Sequence, residues 1–166
     1  MNPLNRPKLE IPKTRLEKIL DWIGAVVFAA WIIYLITVWG DLPAKVPGHY
    51  DGTGEVTRWG TNWELLLLPV IAGFLAAFLS FLEKHPEWHN YMNLTEDNIV
   101  FQYKNSRMML NVMKNVTTAV FAYVSWKTVQ VALGEAESMG IWFLPVFLTA
   151  LLGPMIFFVI RSVRHK

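Results

Sequence analysis

The sequence predicts an all-α membrane protein, a four-transmembrane-helix bundle with a structured extracytoplasmic loop between helices 1 and 2. Apolar residues make up 54% of the 166 residues and the mean hydropathy is +0.32, which is high for a soluble domain. These residues are gathered into long runs instead of being spread at amphipathic spacing. We therefore expect the lipid bilayer to be the main partner of the chain. The small net charge of +2 gives no support to nucleic-acid binding.

Four apolar runs predict the spans, at about 22–39, 63–82, 108–133 and 141–160. The first and last contain no charged residue, and at about 1.5 Å per residue each reaches roughly 27–30 Å, close to the hydrocarbon thickness. The third run carries Lys114 and Lys127, which lie near enough to its ends for their side chains to snorkel towards water. The predicted organisation is a basic, amphipathic lead-in at 1–21, a transmembrane domain at 22–160 and a basic tail at 161–166.

The distribution of Lys and Arg predicts the orientation of the bundle. These residues are concentrated before the first span, between the second and third spans, and after the fourth. The first outer loop holds only Lys45 and Arg58, and residues 134–140 hold none. Because positive residues favour the cytoplasmic side, both termini are predicted to be cytoplasmic.

Polar residues recur at spacings of three and four along the third run and so share one helix face. They include Asn111, Lys114, Asn115 and Thr118. One interpretation is a packing seam, in which polar side chains bond across neighbouring helices. The other is a pathway for an ion or a proton. No acidic residue lies deep in any predicted span to act as a counter-charge.

The outer loop, residues 40–62, contains more turn-forming signals than a flexible linker needs. Asp51-Gly52 is a hairpin signal, and Pro43 and Pro47 stiffen the approach to it. Glu55 and Arg58 are close enough in sequence to form an exposed ion pair, which contributes little to stability. We expect this loop to fold back as a compact cap over the bundle.

One motif in this loop resembles a known family. It is Leu42-Pro43-x-x-Val46-Pro47-x-His49-Tyr50-x-x-x-Gly54-x-x-x-x-Trp59-Gly60. It resembles the signature of the bacterial membrane family called domain of unknown function 1648, which is related to the immunity protein of the sporulation delaying protein toxin system. The resemblance covers roughly residues 22–81 and extends to short stretches around Asn90–Asn98 and Arg107–Leu110. It implies a multi-pass protein of the bacterial plasma membrane with four helices, and it implies no particular activity.

Two groups of residues have ligand-like chemistry. In the outer loop, His49, Asp51 and Glu55 are candidate metal ligands together with Asp41, although His49 has the alternative of bonding within the hairpin. In the inner loop, His85 and His89 differ from the His-Glu-x-x-His zinc motif, and Pro86 favours a turn. That loop is interpreted as a surface segment with titrating histidines, followed at Ile99–Phe101 by a short strand or amphipathic piece.

The functional prediction is a binding, receptor-like or immunity-like role for the outer loop, since binding residues are often carried on loops held by rigid elements. The predicted partner is a peptide, a lipid or a membrane protein. The candidate ligand-binding residues are Pro43, Pro47, His49, Tyr50, Asp51 and Trp59. The alternatives are an accessory subunit, a small transporter or channel subunit, or a metal-dependent membrane enzyme. The enzyme is disfavoured because no catalytic constellation is readable. No cofactor is expected, and a homo-oligomer is left open.

Overall fold

The computed structural model describes residues 6–165, and within them the fold is mostly helical with one small sheet. The elements in chain order are α1 (Arg15–Val38), β1 (Lys45–Tyr50), β2 (Val56–Thr61), α2 (Leu67–Leu82), α3 (Ile99–Ala132) and α4 (Phe143–Arg164). Short 3-10 turns stand at Trp39–Asp41, Asn62–Leu66 and Pro86–Trp88.

Helix α3 is the centre of the bundle, because α1, α2 and α4 all pack against it. Contacts at both of its ends show that α1 and α3 run in the same direction, while α2 and α4 run in the opposite one. We call the end that carries residues 39–66 and 133–142 the hairpin face. The terminal face is the opposite end, with residues 6–14, 83–98 and 161–165.

Helix α1 begins at a reciprocal capping box. The hydroxyl of Thr14 accepts a hydrogen bond from the Glu17 backbone N–H, and the Glu17 carboxylate accepts one from the Thr14 N–H. The helix then continues without a break to Val38. The helix therefore passes without interruption through residue 22, where the sequence predicts the first span to begin. Residues 1–5 and 166 of the predicted lead-in and tail lie outside the described residues.

Three segments of the described chain are long and apolar enough to cross a membrane: Arg15–Asp41, Asn62–Leu82 and Phe143–Arg164. They correspond to the first, second and fourth predicted spans. Helix α3 has 34 residues, which is more than a span needs, but its buried face carries many polar side chains. These lower its hydropathy, so α3 is not among the three.

The start of α3 corrects one sequence prediction. Ile99–Phe101 was expected to be a strand or a separate amphipathic piece before a span beginning at Met108. The structure instead starts the helix at Ile99, where the buried Ile99 packs with Leu94 and Tyr103. Nine-tenths or more of each of these side chains is buried. Tertiary packing at the terminal face thus extends the helix beyond the apolar run that the sequence displays.

Candidate functional site

The outer loop forms an antiparallel hairpin that is docked on the bundle. Strand β1 pairs with β2 in a register running from Lys45 opposite Thr61 to Tyr50 opposite Val56. Val46 is 0% exposed because it enters the apolar core between the helices. Its buried neighbours in this core are Trp31, Leu35, Leu65, Ala72 and Val129. Since β1 contributes a core side chain, the hairpin is an integral part of the bundle and not a tether.

The tip of the hairpin is held by its own hydrogen bonds. Asp51 Oδ1 accepts from the Thr53 N–H (2.9 Å), the Thr53 hydroxyl (2.7 Å) and the Glu55 N–H (3.0 Å). These bonds, the Thr53 hydroxyl first, hold the pKa of Asp51 below its usual value. Gly54 has a φ of +89°, a conformation that glycine adopts at little cost. The predicted turn at Asp51-Gly52 is therefore present.

A second contact fixes the hairpin to the loop between α3 and α4. The Met139 N–H donates to the Gly54 carbonyl at 2.9 Å. A Cβ atom on Gly54 would lie only 2.8 Å from the backbone nitrogen of Gly140, so this approach requires glycine. On the inner side, the Tyr50 hydroxyl donates to Thr128 Oγ1 of α3 at 3.3 Å.

The candidate binding residues divide into two groups. Pro47 is buried and Tyr50 is half-buried against α3, so these two fix the hairpin in place. Pro43, His49, Asp51 and Trp59 are exposed, and Trp59 keeps 52% of its surface accessible.

Beside the exposed residues, Arg58 donates to the Gly48 carbonyl (2.8 Å) and pairs with Glu64 at 2.7 Å. Arg58 therefore pairs with Glu64 and not with Glu55, the partner that the sequence offered as an alternative.

The candidate metal ligands are engaged separately. His49 Nδ1 lies 2.6 Å from the Thr57 hydroxyl across the hairpin, whereas Asp51 caps the turn. Among residues 6–165, no group of three or more His, Asp or Glu side chains is placed to hold a metal ion. The exposed candidate residues on the hairpin are aromatic or polar: His49, Asp51 and Trp59.

At the terminal face, four charged side chains form a closed ring that we call the carboxylate–lysine ring: Lys13, Asp21, Glu83 and Lys114. Lys13 Nζ lies 2.7 Å from both Asp21 Oδ2 and Glu83 Oε2. Lys114 Nζ lies 2.8 Å from Asp21 Oδ1 and 2.6 Å from Glu83 Oε1. Each carboxylate thus bridges both ammonium groups, and the ring as a whole is electrically neutral.

The two lysines of the ring differ in position. Lys114 is on α3, donates a third hydrogen bond to Ser80 Oγ at 3.0 Å, and has only 7% of its side chain exposed. Lys13 precedes α1 and is 32% exposed. Burial by itself would lower the pKa of Lys13, but its bonds to Asp21 and Glu83 outweigh burial and raise it.

Nearer to the terminal face than the ring, Arg107 forms a bidentate pair with Glu17. Nε lies 2.7 Å from Oε1 and Nη2 lies 3.1 Å from Oε2. Both side chains are almost fully buried, and Nη2 also donates to the Pro12 carbonyl at 3.0 Å. Arg107 therefore ties the N-terminal segment, α1 and α3 together. The same carboxylate caps α1, so helix initiation and the buried pair depend on one residue.

The polar face of α3 is used in two different ways. Asn111 and Lys114 bond across to α1 and to Glu83. Asn115 and Thr118 instead donate to the carbonyls four residues earlier in their own helix. Lys114 does not snorkel as predicted, since it lies buried between two carboxylates.

Sequence reasoning missed Asp21 and Glu83 because both lie one residue outside a predicted span. The sequence did contain a signal in the positions of these residues. The two carboxylates lie at the same predicted membrane boundary, and Lys114 lies about two helical turns inside it.

A cavity of about 340 Å³ lies between α1, α2 and α3, beside the ring. The space exists because small residues line it, namely Gly24, Ala25, Gly73 and Ala76. Asp21 and Lys114 form its charged end. A second cavity of about 440 Å³ lies under the N-terminal segment and is lined by residues 8–13 with Glu83, Lys84, Pro86 and Arg107. Each cavity is lined by two members of the ring, so the ring stands between them.

The histidines of the inner loop have structural partners. His85 Nδ1 lies 3.1 Å from the Glu87 carboxylate, and the His85 ring stacks on Trp88. His89 Nε2–H donates to the Leu82 carbonyl at 3.0 Å, and its other nitrogen lies 2.9 Å from the Ser106 hydroxyl. Burial lowers the pKa of His89. These residues secure the loop at residues 83–98 against α2 and α3.

Comparison with known proteins agrees with the motif in the hairpin. A segment of this chain is 27% identical over 95 residues to an uncharacterized protein of Archaeoglobus fulgidus, covering 50% of this chain and 52% of that protein. The chain thus matches about half the length of this curated relative. No solved structure matches this chain. Residues 25–73, which run from α1 through the hairpin into α2, match the family model described as Domain of unknown function (DUF1648).

Proposed function

We propose that this protein is a four-span membrane protein whose hairpin is a rigid binding surface on the outer side of a bacterial plasma membrane. The observation that carries the proposal is the two-sided construction of the hairpin. Its inner side is fixed by the buried Val46 and by Tyr50, while His49, Arg58 and Trp59 remain exposed on the strands. A surface that is already ordered loses little conformational freedom when it binds a partner.

The proposed partner is a peptide, a lipid or a membrane protein that reaches the outer face, as in a receptor-like or immunity-like role. Tryptophan and arginine are the side chains that most often dominate binding energy at interfaces. Here Arg58 is oriented by Glu64 and the Gly48 carbonyl, next to the half-exposed Trp59. Trp63 and Trp142 are also exposed at this face, at the level where an aromatic belt is expected.

Helix α3 is proposed as the fourth span, with both termini in the cytoplasm. Its length, its packing against all three apolar helices and the burial of Arg107 and Lys114 within the bundle support this topology. Polar groups inside a membrane protein are expected to face the bundle and to be paired. The excess of Lys and Arg at the terminal face supports the orientation.

Native mass spectrometry of the purified protein tests the binding role. We expect a discrete bound mass on the wild type that is lost in the double variant His49→Ala/Trp59→Ala. Trp142→Ala is the matched control, because it removes an exposed tryptophan at the same face but outside the hairpin. An unliganded wild type, or a bound mass retained in the double variant, would contradict the proposed surface.

A small transporter or channel subunit is a second candidate. The observation that favours it is the cavity of about 340 Å³ with a charged end between α1, α2 and α3. This function predicts an ion flux in liposomes that changes when Lys114 or Asn111 is replaced. Equal flux in empty liposomes and in liposomes with the wild-type protein would exclude it.

A further inference from the structure

We propose that the Asp21–Glu83 carboxylate pair is a binding site for a protonated primary amine, and that the side chain of Lys13 occupies this site in the structure. The site belongs to the terminal face and does not depend on the function proposed for the hairpin. The geometry of the ring, the partial exposure of Lys13 and the two cavities beside the ring support this site.

The ring has a donor and acceptor pattern that suits ammonium groups. Two carboxylates face each other, and each accepts one hydrogen bond from each of two ammonium nitrogens, at 2.6–2.8 Å. An ammonium group offers three N–H donors. The carboxylates therefore hold two such groups, and Lys114 provides one of them from within the fold.

The second ammonium group is the one that can be replaced. Lys114 sits on a central helix and has three partners, whereas Lys13 lies outside the helices and has about a third of its side chain exposed. The backbone around Lys13 is held separately, since Arg107 donates to the Pro12 carbonyl and Thr14 caps α1. Rotation of the Lys13 side chain alone is enough to vacate the position.

Removal of Lys13 would leave one carboxylate charge without a counter-ion, which is balanced either by protonation of a carboxylate or by another cation. Asp21 and Glu83 would face Lys114 alone, so the site would carry one net negative charge. Glu83 is fully buried, and a buried unpaired charge is strongly unfavourable. The neighbouring Arg107 is already neutralised by Glu17 and cannot take over this role.

The cavities provide the space that a ligand needs. The cavity under residues 8–13 leads to Lys13 and Glu83 from the terminal face, and the cavity between α1, α2 and α3 begins at Asp21 and Lys114. An amine that replaces Lys13 would lie between the two with its alkyl chain in either one. A free amine and the amino group of a peptide share this chemistry.

Chemical rescue with n-propylammonium tests the site, because this ion replaces the atoms that Lys13→Ala removes beyond Cβ. We expect Lys13→Ala to lower the Tm of the detergent-purified protein by several degrees, and n-propylammonium chloride to restore most of that loss. Tetramethylammonium and potassium chloride at the same ionic strength should restore none of it. Lys18→Ala removes an exposed lysine from the first turns of α1 and should show neither the loss nor the rescue.

The double variant Lys13→Ala/Asp21→Asn supplies a second test. It balances Glu83 with Lys114, so its Tm should not respond to n-propylammonium. If Lys13→Ala does not fold, Lys13→Met with ammonium chloride replaces it, because methionine retains the stem of the side chain and lacks only the terminal ammonium group. The proposal is overturned if the primary amine restores no stability, if potassium restores as much, or if the charge-balanced double variant responds equally. A peptide amine as ligand is distinguished by rescue with a glycine amide but not with its N-acetylated form.

Discussion

At the hairpin face the decisive buried contact is apolar, whereas at the terminal face it is ionic. Val46 enters the core among Trp31, Leu35 and Leu65 without any polar partner. At the other end, Arg107 and Lys114 of α3 are neutralised by carboxylates of α1 and of the α2 terminus. An apolar contact tolerates small shifts, but a buried charge requires its partner in place. The contacts at the terminal face should therefore determine how the helices are positioned relative to one another. Those at the hairpin face should hold only the β1–β2 hairpin on the bundle.

The largest expected effect comes from breaking the buried Arg107–Glu17 pair. Arg107→Met leaves the Glu17 carboxylate buried without a counter-charge, which costs about 3–5 kcal/mol of the free energy of unfolding. Lys104→Met, an exposed position one turn earlier on α3, is the matched control and should change stability little. Unfolding in mixed detergent measures both. A loss in Arg107→Met no greater than that in the control would show that the pair does not hold the helices together.

A smaller loss is expected at Gly24, where α1 lies close against α3. A Cβ on Gly24 would lie 1.8 Å from Oδ1 of Asn115, so Gly24→Ala forces this side chain to move and should cost about 1–3 kcal/mol. The control is Gly153→Ala in α4, where a Cβ meets nothing within 4 Å. There the better helix propensity of alanine should raise stability by up to about 1 kcal/mol. The same sign at both positions would contradict the close approach.

The hairpin face should respond more weakly. Tyr50→Phe removes the hydrogen bond to Thr128, for which the expected cost is about 0.5–1.5 kcal/mol. Amide exchange in β1 and β2 should become faster than in the wild type. Tyr123→Phe, an exposed tyrosine on α3, should leave this exchange unchanged. Equal exchange in Tyr50→Phe and wild type would mean that this hydrogen bond does not help to hold the hairpin.

The smallest effect is a pH dependence at the inner loop. Because burial holds the pKa of His89 below the usual 6.5, the unfolded chain binds the proton more strongly than the folded one. This residue should therefore leave stability unaffected above pH 6.5 and reduce it as the pH falls from 6.5 through the lower folded-state pKa. His89→Gln should flatten that part of the profile in a Tm series. A wild-type profile with the opposite slope, or one identical to that of the variant, would refute the assignment.

The two faces also differ in how far the sequence predicts them. The hairpin depends on neighbours in the chain: Asp51 bonds to Thr53 and Glu55, and Gly54 takes the positive φ. Local turn chemistry was therefore sufficient to predict it, although not the inward direction of Pro47 and Tyr50, which follows from docking on α3. Three spans were likewise predictable from uninterrupted apolar runs.

The terminal face was not predictable in the same way. The carboxylate–lysine ring joins the N-terminal segment, α1, the end of α2 and α3, so its partners are distant in the sequence. Considered alone, each of Asp21 and Glu83 is an ordinary acidic residue at the end of a span. Only the relative levels of the helices bring them to Lys114, and those levels are a property of the packed bundle.

The topology of α3 is the central claim, and cysteine accessibility tests it most directly because the native chain contains no cysteine. Single replacements Thr53→Cys and Glu137→Cys report on the two loops that meet at the hairpin face, and Glu96→Cys reports on the terminal face. With a membrane-impermeant maleimide on intact cells, positions 53 and 137 should be labelled and position 96 only after lysis. Labelling of positions 53 and 137 from opposite sides of the membrane would contradict a membrane-spanning α3.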